Sequence, residues 1–187
     1  MVKHQEEQYQ YNRVLFIGSK ESGFKVLKKI YDLSKEVLVG CVTVDDSGDT
    51  RSEIDEFRDF CKENNIELDI LNGKCDLTDS VNKFKPDICF VMGWYHIISE
   101  ELLARLPGGF IGIHNSILPM HRGFAPVVWS MIAGEKETGF SVFSFDRGIE
   151  TGDVWYQKKI RMDEQDYISE MLDKIDKEIE VLLKTVL

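Results

Sequence analysis

The sequence lacks any long hydrophobic run. None of its apolar stretches approaches the roughly 20 residues of a membrane-spanning helix, so we expect no membrane association. The opening stretch MVKHQEEQYQYN has no apolar core, and it is therefore not expected to act as a signal peptide. We expect a mobile N-terminal tail over residues 1–12 and a single domain over residues 13–187.

Cysteine is scarce and unpaired. The four cysteines form neither close pairs nor the spacing of zinc ligands; they are Cys41, Cys61, Cys75 and Cys89. Cys41 and Cys89 lie inside apolar runs, where buried thiols are expected. His114 and His121 have no obvious third ligand, so no metal site is predicted. This pattern favours a reducing, cytoplasmic setting.

Basic residues are outnumbered by acidic ones. The chain has 23 Lys and Arg against 33 Asp and Glu, which gives a formal net charge of -10. Proteins bind nucleic acids largely through Lys and Arg contacts to phosphates, so this balance argues against a partner such as tRNA. It leaves room for a local basic pocket that takes a small phosphate ligand.

Two common catalytic fingerprints are also missing. The stretch FIGSKESGF lacks the G-x-G-x-x-G spacing, so a dinucleotide site is not supported. No Ser- or Cys-centred nucleophile motif is present, which disfavours a covalent acyl-enzyme. The glycines of FIGSKESGF fit a plain strand-to-helix turn and a phosphate contact through Lys20 equally well.

Short apolar runs alternate with amphipathic stretches over the first two thirds of the chain. Strands are predicted at residues 13–18, 37–44, 67–71, 87–92 and 110–114. Helices are predicted between them at residues 22–32, 51–64, 76–84 and 99–106. This alternation predicts an α/β fold, a doubly wound and mostly parallel sheet with helices on both faces.

The pattern changes after residue 123. A helix at 126–133 precedes two strands, TGFSVFSF and DVWYQKKI, which are predicted to extend the sheet as a hairpin. A long amphipathic helix starts at Asp166, with an apolar stripe through Ile168, Leu172, Ile175, Ile179, Leu182 and Val186. Packing on the sheet is the simpler role for this stripe, and a homodimer contact is the alternative.

Ligands in open α/β sheets bind beyond the carboxyl ends of the strands. His114 ends the fifth predicted strand, and the turn DRGIETGD offers Asp146, Glu150 and Asp153 within its reach. A carboxylate stabilises the imidazolium form of histidine, which can then stabilise an oxyanion or carry protons. MGWYHIIS follows another strand, where its aromatic residues either pack or wall a flat heterocyclic ligand.

The span IHNSILPMHRGFAPVVWSMIAGEKETGFSVFSFDRGIETGDV resembles the central block of the folate-dependent formyltransferases. That family carries an H-x-S-L-L-P-x-x-R-G stretch followed by T-G and D-x-G-x-D-T-G-D. The likeness runs from about residue 13 to 160. MGWYHIIS is similar to the G-W-x-x-I-I segment of the branch that formylates amino groups on nucleotide-linked sugars.

The resemblance implies a formyltransferase-like domain that takes 10-formyltetrahydrofolate as formyl donor. The implied acceptor is the amine of a small molecule, a nucleotide-linked amino sugar. Alternatives are a methionyl-tRNA or glycinamide ribonucleotide substrate, and a domain that binds folate or nucleotide-sugar without turnover. The implied catalytic residues are His114, which stabilises the oxyanion, and its partner Glu150. The implied folate-binding residues are Trp94, Ile97, Ile117, Leu118 and Pro119.

Two positions depart from the family pattern. The family asparagine, two residues before the histidine, is replaced by Gly112, and the family aspartate is replaced by Glu150. Asn115 is expected to face the opposite side of the strand and not to replace the missing amide. We expect Gly112→Asn with Glu150→Asp to raise formyl transfer, unless a neighbouring group fills the space beside Gly112.

Overall fold

Seven strands form one sheet in the computed structural model, which describes residues 11–73 and 75–186. They are β1 (Val14–Gly18), β2 (Leu38–Val44), β3 (Leu68–Leu71), β4 (Ile88–Met92), β5 (Phe110–His114), β6 (Glu137–Ser144) and β7 (Val154–Arg161). The helices are α1 (Lys20–Ser34), α2 (Ile54–Glu63), α3 (Thr78–Phe84), α4 (Glu100–Leu103), α5 (Pro126–Ile132) and α6 (Ile168–Val186).

The strands lie in the order β3-β2-β1-β4-β5-β6-β7. The first five are parallel to their neighbours, and β6 and β7 add to the sheet in antiparallel fashion. The predicted α/β class and doubly wound, mostly parallel sheet are therefore confirmed. Leu15, Phe16 and Ile17 are all fully buried, because helices cover both faces of the central strands.

Two hydrophobic cores lie on opposite faces of the sheet. On one face α1, α2, α5 and α6 pack around buried residues such as Phe16 and Phe57. On the other face α3 and α4 contribute Val81, Phe84 and Leu102. All four cysteines are buried, including Cys41 and Cys89 as predicted.

The terminal helix α6 packs on the sheet side as predicted, but its buried stripe is shifted. The fully buried positions are Met171, Ile175, Ile179 and Leu183, which follow one another at intervals of four residues. Ile168, Leu172 and Leu182 were expected inside the core, but Leu172 is only half-buried; the Val186 side chain lies outside the described residues. Ile168 is 38% exposed because it begins the helix, and Leu182 is half-buried at the edge of the stripe.

A side-chain hydrogen bond stabilises the start of α4. The Ser99 hydroxyl accepts a hydrogen bond from the Leu102 N–H (3.3 Å), so Ser99 caps α4 as its sequence indicates.

Of the predicted mobile tail, residues 1–10 lie outside the described residues, and the Asn12 N–H donates to the Asp87 carboxylate (3.0 Å). No helix within the described ranges is long and apolar enough to cross a membrane.

The carboxyl ends of β1, β2, β4 and β5 meet at one edge of the sheet. The strand order reverses between β1 and β4, which is where open sheets of this kind form a crevice. Gly93 has φ +73°, and a Cβ there would lie 2.3 Å from the Ser19 carbonyl oxygen. Only glycine allows the two loops to approach this closely.

Candidate active site

His114 lies at the carboxyl end of β5 and is 8% exposed. Its Nδ1 atom is 3.0 Å from Oε1 of Glu150, and its Nε2 atom is 2.8 Å from the main-chain oxygen of His121. Both ring nitrogens therefore face oxygen atoms that accept hydrogen bonds. The imidazolium form is the one that donates to both at once.

Glu150 reaches His114 from the turn between β6 and β7. Its backbone has φ +53°, a left-handed conformation that is uncommon for a residue with a long side chain. Its second carboxylate oxygen accepts a hydrogen bond from the Gly123 N–H (2.7 Å), and its carbonyl accepts one from Nε of Arg122 (2.9 Å). The loop after β5 thus holds both the backbone and the carboxylate of Glu150.

The other two carboxylates proposed near His114 take different roles. Asp146 accepts hydrogen bonds from the Gly148 N–H (3.0 Å) and the Thr151 hydroxyl (2.6 Å), so it shapes the turn itself. The main-chain oxygen of Asp153 accepts a hydrogen bond from the Ser144 N–H (2.9 Å), at the end of β6. Of the three, Glu150 is the residue that the fold brings to His114.

The space beside Gly112 is filled by Phe145. A Cβ atom at position 112 would lie 2.4 Å from Cε2 of Phe145 and 3.3 Å from the Val91 carbonyl oxygen. The Phe145 ring in turn stacks on Phe143, with ring centroids 4.9 Å apart. An aromatic ring therefore occupies the direction in which a side chain at residue 112 would point, so the exception stated for Gly112→Asn applies: an asparagine fits here only if Phe145 moves.

The segment after β4 carries a cluster of aromatic rings. The His96 ring lies 5.3 Å from the Trp94 ring and 4.6 Å from the Tyr95 ring. Trp94 packs against the buried core, yet its indole N–H is buried with no hydrogen-bond partner among the described residues. Ile97, on the same segment, is 89% exposed. This segment therefore presents an apolar surface and a buried donor without a protein acceptor.

The predicted residues Ile117, Leu118 and Pro119 lie in the loop after β5. Leu118 is buried; its N–H donates to the Ser141 hydroxyl (3.0 Å), and its carbonyl accepts from Nε2 of Gln157 (2.7 Å). Pro119 is exposed. Ile117 lines a cavity of about 1270 Å³ together with residues such as His121 and Thr138, and Trp94 and Ile97 are not among its lining residues. Ile117 is thus the one predicted folate-binding residue that lines this cavity.

Lys20, considered above as a phosphate contact, is already neutralised by carboxylates. Its Nζ atom lies 2.5 Å from Asp46 and 2.9 Å from Asp49 and sits over the Tyr95 ring. Burial lowers the pKa of Lys20, but the hydrogen bonds to the two carboxylates outweigh it and raise the pKa overall. Lys20 is therefore held by Asp46 and Asp49, and a phosphate contact is not needed to explain its position.

The motifs missed one set of contacts that holds the site. No motif indicates that the His121 carbonyl contacts His114 or that the Gly123 N–H contacts Glu150. Every residue has the same main-chain groups, so the sequence does not indicate which of them will contact a side chain. The glycine of the HRG stretch indicates only a tight loop. The His121 ring points away from His114 and lies 2.8 Å from Oε1 of Glu135.

Comparison with known proteins decides the family. The family model described as formyl transferase matches residues 12–187. The chain belongs to this family. The resemblance found in the motifs is therefore confirmed.

Several members of the formyl transferase family resemble the chain over most of its length. The methionyl-tRNA formyltransferase of Clostridioides difficile is 30% identical over 168 residues, which cover 87% of this chain and 54% of that protein. That of Dictyoglomus thermophilum is 33% identical over 154 residues, covering 79% of this chain and 49% of that protein. The chain spans about half the length of the curated relatives it matches.

Solved structures share the fold. Phosphoribosylglycinamide formyltransferase from Bacillus halodurans superposes with a TM-score of 0.77 at 20% identity, covering 94% of this chain and 95% of that one. A formyltetrahydrofolate deformylase from Pseudomonas syringae gives a TM-score of 0.78 at 18% identity, covering 94% and 60%. At these identities the likeness establishes the architecture of the formyl transferase domain.

Proposed function

We propose that this formyl transferase family member transfers a formyl group from 10-formyltetrahydrofolate to an amine of a small molecule, a nucleotide-linked amino sugar. The observation that carries the proposal is the His114–Glu150 pair, with 3.0 Å between Nδ1 and Oε1 at the carboxyl end of β5. The pair lies at the edge of the sheet where folds of this kind bind ligands.

His114 is the residue proposed to act on the formyl oxygen. Glu150 holds Nδ1 of His114, so Nε2 is the atom that would turn from the His121 carbonyl to the formyl oxygen and donate a hydrogen bond to the negative charge that develops there. Glu150 orients the ring and offsets its charge. The His121 carbonyl and the Gly123 N–H hold the two side chains in place, and the Arg122 side chain holds the backbone of Glu150.

The proposed transfer from donor to amine is direct and needs no covalent enzyme intermediate. The donor supplies an activated formyl carbon, the amine nitrogen bonds to that carbon, and the bond from the carbon to the donor nitrogen breaks. The proton that the amine loses ends on that donor nitrogen; for His114 to carry it, Nε2 has to exchange the His121 carbonyl for the substrate, while Glu150 holds Nδ1.

The structure has features that fit a folate. The buried indole N–H of Trp94 lacks an acceptor within the described chain, and a ring nitrogen or carbonyl of a pteridine would supply one. Ile97 offers exposed apolar surface on the same segment. Trp94 and Ile97 would therefore hold the flat part of the donor, and Ile117, Leu118 and Pro119 would bound the site on the side of β5.

The substrate assignment rests on charge and on the GWYHII segment. A net charge of -10 gives little attraction for a polyanion, whereas a small nucleotide needs few basic groups. Methionyl-tRNA is the second candidate, because the curated relatives carry that name.

The test is turnover of 10-formyltetrahydrofolate with a panel of acceptors. The panel contains thymidine- and uridine-diphosphate-linked amino sugars, glycinamide ribonucleotide and methionyl-tRNA, and tetrahydrofolate release is followed with time. We expect the highest kcat/KM with an amino sugar nucleotide. A higher value with methionyl-tRNA would transfer the assignment to the second candidate, and donor binding without turnover on any acceptor would exclude both.

A further inference from the structure

Asn115 combines a buried amide oxygen with a position next to the proposed catalytic histidine. Its Oδ1 atom is buried and has no hydrogen-bond partner in residues 11–73 and 75–186. Leaving a buried acceptor unsatisfied lowers the stability of a folded protein, and native structures contain few such atoms. The isolated oxygen therefore calls for an explanation outside the fold itself.

The chain turns sharply at Asn115. The Ser116 N–H donates to the His114 carbonyl (2.8 Å), which closes a three-residue turn with Asn115 at its apex. Ser116 is then fixed by two further hydrogen bonds, one from its hydroxyl to the Met120 carbonyl (2.6 Å) and one from the Ser141 hydroxyl to its carbonyl (2.6 Å). Strand alternation ends at His114, so it no longer dictates the direction of the Asn115 side chain.

A second unpaired polar atom lies at the matching position of the neighbouring strand. Met92 of β4 is paired with Ile113 of β5, so Trp94 and Asn115 each lie two residues beyond that pair. The Trp94 indole N–H is likewise buried and unpartnered within the described residues. A donor and an acceptor thus remain unpaired beyond adjacent strands, on the edge that carries His114.

We infer that Asn115 is a positioning residue for the acceptor amine; this inference rests on the proposed function. A carbonyl oxygen repels the formyl oxygen, which gains negative charge during the reaction, but it accepts a hydrogen bond from an amine N–H. That bond leaves the amine lone pair free to attack. It strengthens as the nitrogen becomes positively charged, so Asn115 favours the transition state over the bound substrate.

Replacing Asn115 should lower activity without lowering stability. Asn115→Leu removes the amide at similar volume. In the formyl transfer assay with a thymidine-diphosphate-linked amino sugar, it should lower kcat/KM for the amine about tenfold to a hundredfold, the loss expected for one hydrogen bond to a charged group. KM for the formyl donor should stay unchanged, and Tm should be equal or higher because an unsatisfied acceptor is gone. Asn115→Asp keeps an acceptor and should retain more activity than Asn115→Leu.

Asn64 provides the matched control. Its Nδ2 donates to the Phe60 carbonyl (2.9 Å) at the end of α2, so this half-buried amide is satisfied. Asn64→Ala should lower Tm and leave kcat/KM unchanged, which is the reverse of the Asn115→Leu pattern.

Different outcomes of these measurements test the proposed function and the role of Asn115. If the wild-type chain formylates the amine and Asn115→Leu is equally active, or loses Tm and activity together, the inference fails while the proposed function stands. If the wild-type chain transfers no formyl group to any acceptor in the panel, the proposed function fails and the inference fails with it.

Discussion

Glu150 shows how one residue can link several parts of a site. It accepts a charge-assisted hydrogen bond from His114, holds the Gly123 N–H, and does so from a left-handed backbone conformation. Such conformations persist only where surrounding contacts impose them, and they concentrate at functional sites. From this backbone position the glutamate carboxylate contacts both His114 and the Gly123 N–H.

His114→Ala should abolish formyl transfer and leave the fold intact. General acid–base and electrostatic assistance by one side chain is commonly worth about 10²–10⁴-fold in rate, so we expect at least a hundredfold fall in kcat. Glu150 keeps its hydrogen bond from Gly123 in the variant, which limits the effect on stability. Rate and circular dichroism are measured together. Equal activity in the variant and the wild type would place the chemistry elsewhere.

Gly112→Asn should destabilise the protein and should not raise its activity. The new side chain collides with the Phe145 ring, and overpacking of this kind typically costs about 1–3 kcal/mol. Adding Phe145→Ala should recover part of the loss, so the double variant should be more stable than the sum of the single effects predicts. Urea denaturation of all three variants measures this coupling.

Gly48 is the control for Gly112→Asn. A Cβ atom at Gly48 would meet no heavy atom within 4 Å. Gly48→Asn should therefore leave the free energy of unfolding nearly unchanged. Equal stability of the two asparagine variants would show that Phe145 moves aside at little cost, and the expectation that an asparagine restores activity would then have to be tested again.

At the scale of elements, the strands and most helices follow from the sequence, whereas the loops that build the site do not. Apolar runs predict β1 to β5 because burial on both faces leaves little choice of residue. The His114–Glu150 pairing was predictable in outline, since both residues end strands at one edge. The Phe145 ring beside Gly112 was not, because it depends on how the chain leaves β6, which no periodicity encodes.

The contact between α1 and α6 depends on a buried carboxylate. Asp176 is 7% exposed, and it accepts hydrogen bonds from Nζ of Lys25 (2.9 Å) and the Ser22 hydroxyl (3.2 Å). Burial raises the pKa of Asp176 even though Lys25 and Ser22 act to lower it. Ionisation of this carboxyl is therefore less favourable in the folded chain than in the unfolded chain.

Because the pKa of Asp176 is raised in the folded protein, the stability of the protein depends on pH in a definite direction. A carboxyl with a raised folded-state pKa contributes stability below its unfolded pKa of about 3.9, and the contribution is lost as pH rises through the folded value. The difference in Tm, wild type minus Asp176→Asn, should therefore fall as pH rises from about 3.5 to 6. Asp173, whose side chain is 61% exposed beside the same Lys25, provides the control. Asp173→Asn should show no such trend, and a rising difference for Asp176→Asn would contradict the assignment.

At the scale of the whole molecule, two different surfaces follow the ends of β4 and β5. The aromatic segment after β4 lies on the side of the crevice between β1 and β4. The cavity lined by Ile117 and His121 lies towards β6 and β7. The proposed reaction brings two substrates together, and the segment after β4, with its buried and unpartnered Trp94 N–H, is the surface that we expect the donor to occupy.

Binding of the donor alone tests whether the aromatic segment after β4 contributes to the folate site. 5-Formyltetrahydrofolate, a stable analogue, should raise Tm by about 5–11 °C at a hundredfold excess over its Kd, because a ligand that binds only the folded state adds about 2.7 kcal/mol of stability. Trp94→Phe keeps an aromatic ring but removes the buried N–H, so it should weaken the shift. Trp129, which is 56% exposed on α5, is the control, and Trp129→Phe should leave the shift unchanged. No shift at millimolar ligand would show that the segment after β4 packs the core and binds no folate.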